Sequence, residues 1–264
     1  MLGWSLGLLS AVLALSWAFG ALAQPVRGAP DPALHVGIRI LQHYDIIGAT
    51  AHDRTLPLED IAAIDPLADK VIRTRAAPLY SPERVDYLDA DPAIGQVLWR
   101  LPDRVVDAQW RDLIAQHPQA YLAHRWDAFS WVFLTPMIDS CVPLFVGVDG
   151  PPRVLKDLRM APGVDPADQA MFNYGTYFLD TPAFSHLGYA IAALVAAALM
   201  LIRHEPQDIA MAGLMLAALG FAASFFVISI ACDYRYLYFL DLAALTGVLY
   251  LAIDPPWPSP RRSR

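Results

Sequence analysis

Cysteine is almost missing from this chain: Cys141 and Cys232 are the only two in 264 residues. Two thiols cannot build the disulfide framework of a small secreted domain, and neither lies in a CxxC or Cys/His pattern with zinc spacing. Charge is scarce as well, at 17% of residues with a formal balance of −7. No basic stripe is left to neutralise phosphates, which argues against a nucleic-acid partner. There is no internal repeat. The 22 prolines and 15 glycines follow no collagen-like or low-complexity period. Apolar residues fill the remaining space, at 56% of the chain and a mean hydropathy of +0.37. That composition is a membrane protein's.

Four apolar runs divide the chain. Residues 2–23 are uncharged and close on Ala21-Leu22-Ala23, a small-residue pattern that also suits signal-peptide cleavage. No Lys or Arg precedes the run, and its length is near the roughly 20 residues a span needs, so retained helix and cleaved signal both stand. Residues 187–202, 209–231 and 237–253 form the other three runs. The intervening 24–185 holds 14 of the 19 basic and 21 of the 26 acidic residues. It is long enough to bury a core of its own. The expected fold is an all-α membrane protein with about four transmembrane helices and a large, mostly helical extracytoplasmic domain between the first and second. The divisions are 1–23 (span or signal), 24–185 (outer domain), 186–254 (three-helix region) and 255–264 (cytoplasmic tail). Arg203 in a short connection, with Arg261, Arg262 and Arg264 in the tail, sets the orientation, because short segments rich in Lys and Arg stay inside. A multi-pass protein of a plasma (bacterial inner) membrane is implied.

Inside the outer segment, Asp31-Pro32, Ser81-Pro82, Asp91-Pro92 and Asp165-Pro166 each place a capping side chain before proline, the order of a helix start. Val106, Trp110, Leu113 and Ile114 share one helical face. Leu122, Trp126, Phe129 and Phe133 share another, as core, bilayer contact or a sugar-stacking platform. His117-Pro118 separates the two. Residues 135–163 lose periodicity, and only 142–148 reads as a strand. Gly213, Ala217 and Gly220 put small residues on one face of the third run, which permits close helix contact.

The candidate chemistry is sparse. His43 and Asp45 fall in a polar cluster, where a carboxylate near a histidine suits general-base work or a divalent ion, although no ligand motif supports a metal. Arg125 beside His124 offers a guanidinium fork for a phosphate, or a partner for Asp127. The stretch 231–241 links two spans and alternates tyrosines with Asp233 and Arg235, as at a membrane–water boundary. Asp233 and Arg235 could simply pair with each other. Asp241 lies about one turn inside the last span, where an ionisable residue is a functional candidate or reaches a tyrosine hydroxyl. Cys141 and Cys232 fall on the same outer, oxidising face, so they are either bridged or free.

Three pieces taken together carry a family resemblance: Gln42-His43-Tyr44-Asp45-Ile46-Ile47-Gly48; Trp110, Ile114, His117-Pro118, Tyr121-Leu122 and His124-Arg125; and Asp233-Tyr234-Arg235-Tyr236. In this order they resemble the C-terminal part of bacterial inner-membrane proteins of the glycosyltransferase C superfamily type. The resemblance implies an enzyme transferring sugar from a polyprenyl-phosphate carrier in the membrane to an acceptor outside the cytoplasm. It makes Asp45 the base, with His43, His124, Arg125, Asp233, Arg235 and Asp241 as substrate contacts. Such proteins carry more spans than the four counted here. The other reading is a non-catalytic, membrane-anchored binding or scaffold module of the cell envelope.

Overall fold

The structure, a computed structural model, describes residues 32–255; the 1–23 segment and the arginines of the tail lie outside them. Helices carry the described chain, and its only β pairings are two isolated bridges. Helix α1 (Pro32–His52) is the central rod of the first domain, and residues 42–50 are buried on every side. Helices α5 (Asp103–Gln116) and α6 (Pro118–Leu134) pack directly on it, and α2 (Glu59–Ile64), α3 (Pro66–Val71) and α4 (Pro92–Leu98) complete the domain core. A π-helical turn, Ile72–Ala76, extends α3 into a last turn at Ala77–Leu79.

Local chemistry explains most of these boundaries. Asp91 caps α4, and Asp165 with Asp168 forms a reciprocal capping box on α8 (Pro166–Thr176). Asp65-Pro66 is a further start of the same kind: the Asp65 carboxylate accepts from the backbone N–H of Leu67 and Ala68. Pro118 opens α6, and His117 closes α5 by donating its N–H to the Leu113 carbonyl.

Two expectations of this kind fail. Ser81-Pro82 starts no helix, because the chain there is committed elsewhere. The Ser81 carbonyl accepts from the Tyr44 hydroxyl, Val85 N–H bonds the Ile230 carbonyl, and Cys232 N–H bonds the Glu83 carbonyl. Residues 142–148 are likewise no strand; they contribute only the Val148–Gly163 bridge. Val142 sits at φ 47°, a left-handed conformation outside any ladder, and Pro143 has no N–H to donate. This region with α7 (Pro152–Asp157) and α8 forms an open lobe in which α8 buries no residue.

Among the described residues, three helices are long and apolar enough to cross a membrane: 18, 23 and 20 residues. At 1.5 Å per residue they measure about 27, 35 and 30 Å, against a hydrocarbon core of about 30 Å. They are α9 (His186–Arg203), α10 (Pro206–Ile228) and α11 (Tyr238–Ile253), the last preceded by the 3₁₀ turn Tyr234–Leu237. The protein is thus a mostly helical, multi-pass membrane protein.

The spans pack through Ala193, Ala197 and Met200 of α9, Ala212, Met215 and Ala218 of α10, and Ala243 and Ala244 of α11. The face expected from Gly213, Ala217 and Gly220 is not the contact face. Those three residues are exposed, and a Cβ added to Gly213 or Gly220 would meet nothing within 4 Å. The alanine stripe one position away lets the helices approach, and Gly247 of α11 seats the Met215 thioether.

Helix α6 belongs to both halves. Tyr121 near its start packs into the first domain's core, and Val132 near its end packs into the bundle. Phe129 meets Phe226 of α10 edge to face at 5.8 Å.

Candidate functional site

The groups most deeply committed to one another converge where α1, α5, α6 and the end of α10 meet. Asp45 is fully buried, as are His124 and Arg125. Its Oδ1 accepts from Arg125 Nη2 and, at 2.9 Å, from His124 Nε2; its Oδ2 accepts from Trp110 Nε1 at 2.7 Å. Arg125 reaches onward, its Nη1 donating to the Ser229 carbonyl at 2.8 Å. Arg125 therefore pairs with Asp45, 80 residues earlier, while Asp127 pairs with His52 at 3.2 Å.

The protons in this cluster follow from the partners. Burial pushes the His124 imidazole below its ordinary value, against the opposing pull of Asp45, and holds it neutral. A neutral ring facing a carboxylate through Nε2 carries its proton there, so Nδ1 is the acceptor for the Tyr80 hydroxyl at 2.9 Å. Burial also raises the Tyr80 and Tyr44 hydroxyls, which stay protonated as donors. The His124 ring lies so close to α1 that any side chain at position 48 would overlap it, which explains Gly48 within a helix. Each oxygen of Asp45 is engaged, and the carboxylate has no exposed face.

A second cluster lies in the bundle. His186, at the start of α9, donates Nδ1–H to Asp241 Oδ1 at 2.8 Å, and the Tyr234 hydroxyl donates to Asp241 Oδ2 at 3.0 Å. The His186 ring stacks on Tyr234 with centroids 4.0 Å apart, and its buried Nε2 has no partner among the described residues. Asp241 thus meets a tyrosine hydroxyl, as its shallow depth allows. His186 carries a sequence signal of its own, as an ionisable residue opening a span.

At the other end of the bundle Arg203 grips Asp208 with Nε and Nη2 at 2.7 and 2.6 Å and also reaches Asp254 at 2.8 Å. Tyr250 donates to Asp208 at 2.7 Å. That network closes this end of the three helices onto one another.

The remaining candidates scatter. Arg235 is largely exposed and pairs with Asp233 at 2.8 Å, apart from Arg125. His43 shares α1 with Asp45 but faces Trp99, with ring centroids 5.4 Å apart. Cys141 and Cys232 are joined as a disulfide, Cα atoms 4.9 Å apart, which ties the turn after α6 to the α10–α11 connection. No group of three or more His, Cys, Asp or Glu side chains is placed to hold a metal ion among the described residues.

The face expected on α6 divides: Phe129 and Phe133 are part-buried, with Phe133 packed on the bundle core, while Leu122 and Trp126 turn outward. Leu122 and Trp126 are 49% and 58% exposed, whereas Tyr121, His124, Arg125, Ala128 and Val132 are buried. The polar residues won the interior because Asp45 supplies a charge partner there, and a paired, hydrogen-bonded charge can be buried. Comparison with protein-family models, curated proteins and solved structures finds no match. The geometry alone therefore carries the reading of function. Chemically, a buried carboxylate neutralised by a guanidinium and accepting three hydrogen bonds suits an anchor. An accessible base or phosphate-binding fork needs at least one free lone pair or N–H facing open space.

Proposed function

We propose that this protein is a membrane-anchored helical module of the cell envelope, whose first domain lies outside the cytoplasm, fixed to its spans, and presents its surface to a partner or envelope polymer. The observation that supports this most directly is the Asp45–Arg125–Ser229 link, a buried chain of contacts from α1 through α6 to the end of α10. The Cys141–Cys232 bridge, on the same side of the bundle, favours an oxidising compartment for that face. Arg203 at the opposite end agrees with a cytoplasmic position there. The test is labelling of an Asp60→Cys variant, exposed at the start of α2, with a membrane-impermeant maleimide. Reaction in intact cells or spheroplasts is expected. Reaction only after permeabilisation would overturn the orientation.

A second reading, the C-terminal part of a glycosyltransferase C-type protein using a polyprenyl-phosphate sugar, has one observation in its favour. Two of the three sequence pieces that carry the resemblance meet in one place. Residues of α1, α5 and α6 join at Asp45, and the third piece follows Ser229 and Cys232 directly. In that reading Asp45 becomes a base only if Arg125 and His124 swing away on substrate binding. Transfer by the reconstituted full chain, abolished in an Asp45→Asn variant that still melts like the parent, would establish it. No transfer by the parent, with Asp45→Asn destabilised, would leave the anchoring role.

A further inference from the structure

A cavity of about 160 Å³ lies between α1, the 3₁₀ turn Val85–Ala90 and α4, lined by residues that the Asp45 junction does not use. Its apolar wall includes Ile40 and Leu98, and Trp99 stands at the side, half exposed. His43 is the buried polar group of the lining, 5% exposed, and its Nε2 has no hydrogen-bond partner among the described residues. Two carboxylates, Asp86 and Asp89, stand at the exposed mouth. Arg84 is 3.9 Å from Asp86 but spends another N–H on the Ser140 carbonyl, and Asp89 has no ion-pair partner among the described residues.

Size and chemistry together narrow the occupant. An apolar cavity of about 150 Å³ takes benzene, so this one suits a ligand of roughly six to ten non-hydrogen atoms, smaller than a hexose with its hydroxyls. Acid at the mouth raises the local concentration of cations, and an indole face attracts them further. The imidazole deep in the cavity is uncharged: burial, with Arg39 nearby, lowers it from an ordinary 6.5 to about 3. It therefore repels no cation and can accept a hydrogen bond. Two carboxylates without a third ligand are too few for a protein-built divalent-ion site.

We propose that this cavity binds a small organic ammonium ion. Its charge is met by Asp86, Asp89 and the Trp99 ring, its carbon body lies against Ile40 and Leu98, and a donor group of the ligand pairs with His43 Nε2. The site depends on neither reading of the protein's wider role.

The test uses the full chain in detergent micelles, with 5-amino-1-pentanol and 6-amino-1-hexanol as probes and 1,6-hexanediol and methyl glucoside as neutral comparators. Saturation-transfer NMR and tryptophan fluorescence report binding, and a thermal melt confirms that each variant is folded. Both ammonium ions are expected to saturate, with the neutral probes at least about tenfold weaker. Asp89→Asn and His43→Gln should each weaken binding by about fivefold or more, while Asp60→Asn leaves it unchanged. Equal binding of the neutral probes, or no saturation by either ammonium ion, would overturn the proposal. So would unaltered affinity in a folded Asp89→Asn variant.

Discussion

The two cores of this protein are built from different residues. The first domain buries Ile46, Ile47, Leu56, Ile61, Ile72, Ile94 and Leu113, bulky aliphatic side chains around α1. The bundle buries mostly alanine, with Met200 and Met215 filling the gaps. In water each large side chain moved inside is stabilised by about 1.5–3 kcal/mol, so size is favoured. Between lipid-facing helices that driving force is absent, because acyl chains are as apolar as leucine. Close approach through small residues takes its place. The large apolar residues of the spans accordingly point outward, Ile191, Leu242 and Leu249 among them. Helix α6 and the Asp45 junction sit between the two regimes and belong to both.

The largest effect should come from breaking the junction. Asp45→Ala leaves Arg125 buried without its counter-charge and is expected to cost about 3–5 kcal/mol. Melting followed by circular dichroism in micelles would check it; a change under 1 kcal/mol would mean the pair carries little. Next comes the bulky core: Leu113→Ala in the first domain should cost about 2–5 kcal/mol in the same assay. The bundle should show the opposite sensitivity. Ala193→Leu, in a fully buried α9 position, is expected to cost about 1–3 kcal/mol by forcing helices apart. The contrast between the cores fails if adding bulk there is harmless.

Acid should weaken the first domain. His43 titrates at about 3 when folded and near 6.5 otherwise, so the unfolded chain binds the extra proton between those values. Stability contributed by the neutral ring is intact above pH 6.5 and lost as pH falls toward 3, at up to about 1.4 kcal/mol per pH unit. His124, also lowered by burial, adds in the same direction. A His43→Gln variant should show a flatter decline between pH 6 and 4 than the parent. An identical slope would show that His43 is not the group responsible.

Local signals were legible in the sequence, and distant partnerships were not. The spans α9, α10 and α11 announce themselves by continuous hydropathy, and α4 and α8 by Asp-Pro starts, because each rests on neighbouring residues. The break at His117-Pro118 is equally local. The buried face of α6 was not readable: hydrophobicity favours Leu122 and Trp126 for the interior, but the partner of Arg125 lies on α1, 80 residues away. His186 and Asp241 are separated by 55 residues and have the same difficulty. Of the candidate site, Asp45, His124 and Arg125 form one cluster, while His43 and the Asp233–Arg235 pair each lie in surroundings of their own. Spacing along the chain contained no sign of that division.

The contact between Arg125 and the Ser229 carbonyl spans 104 residues of chain. At about 5–20 residues per second, synthesis of that interval takes roughly 5–20 s. Throughout this time Arg125 lacks the acceptor that the end of α10 will supply. This contact therefore closes last, so the seal between α6 and the end of α10 forms only once the later helix has been made.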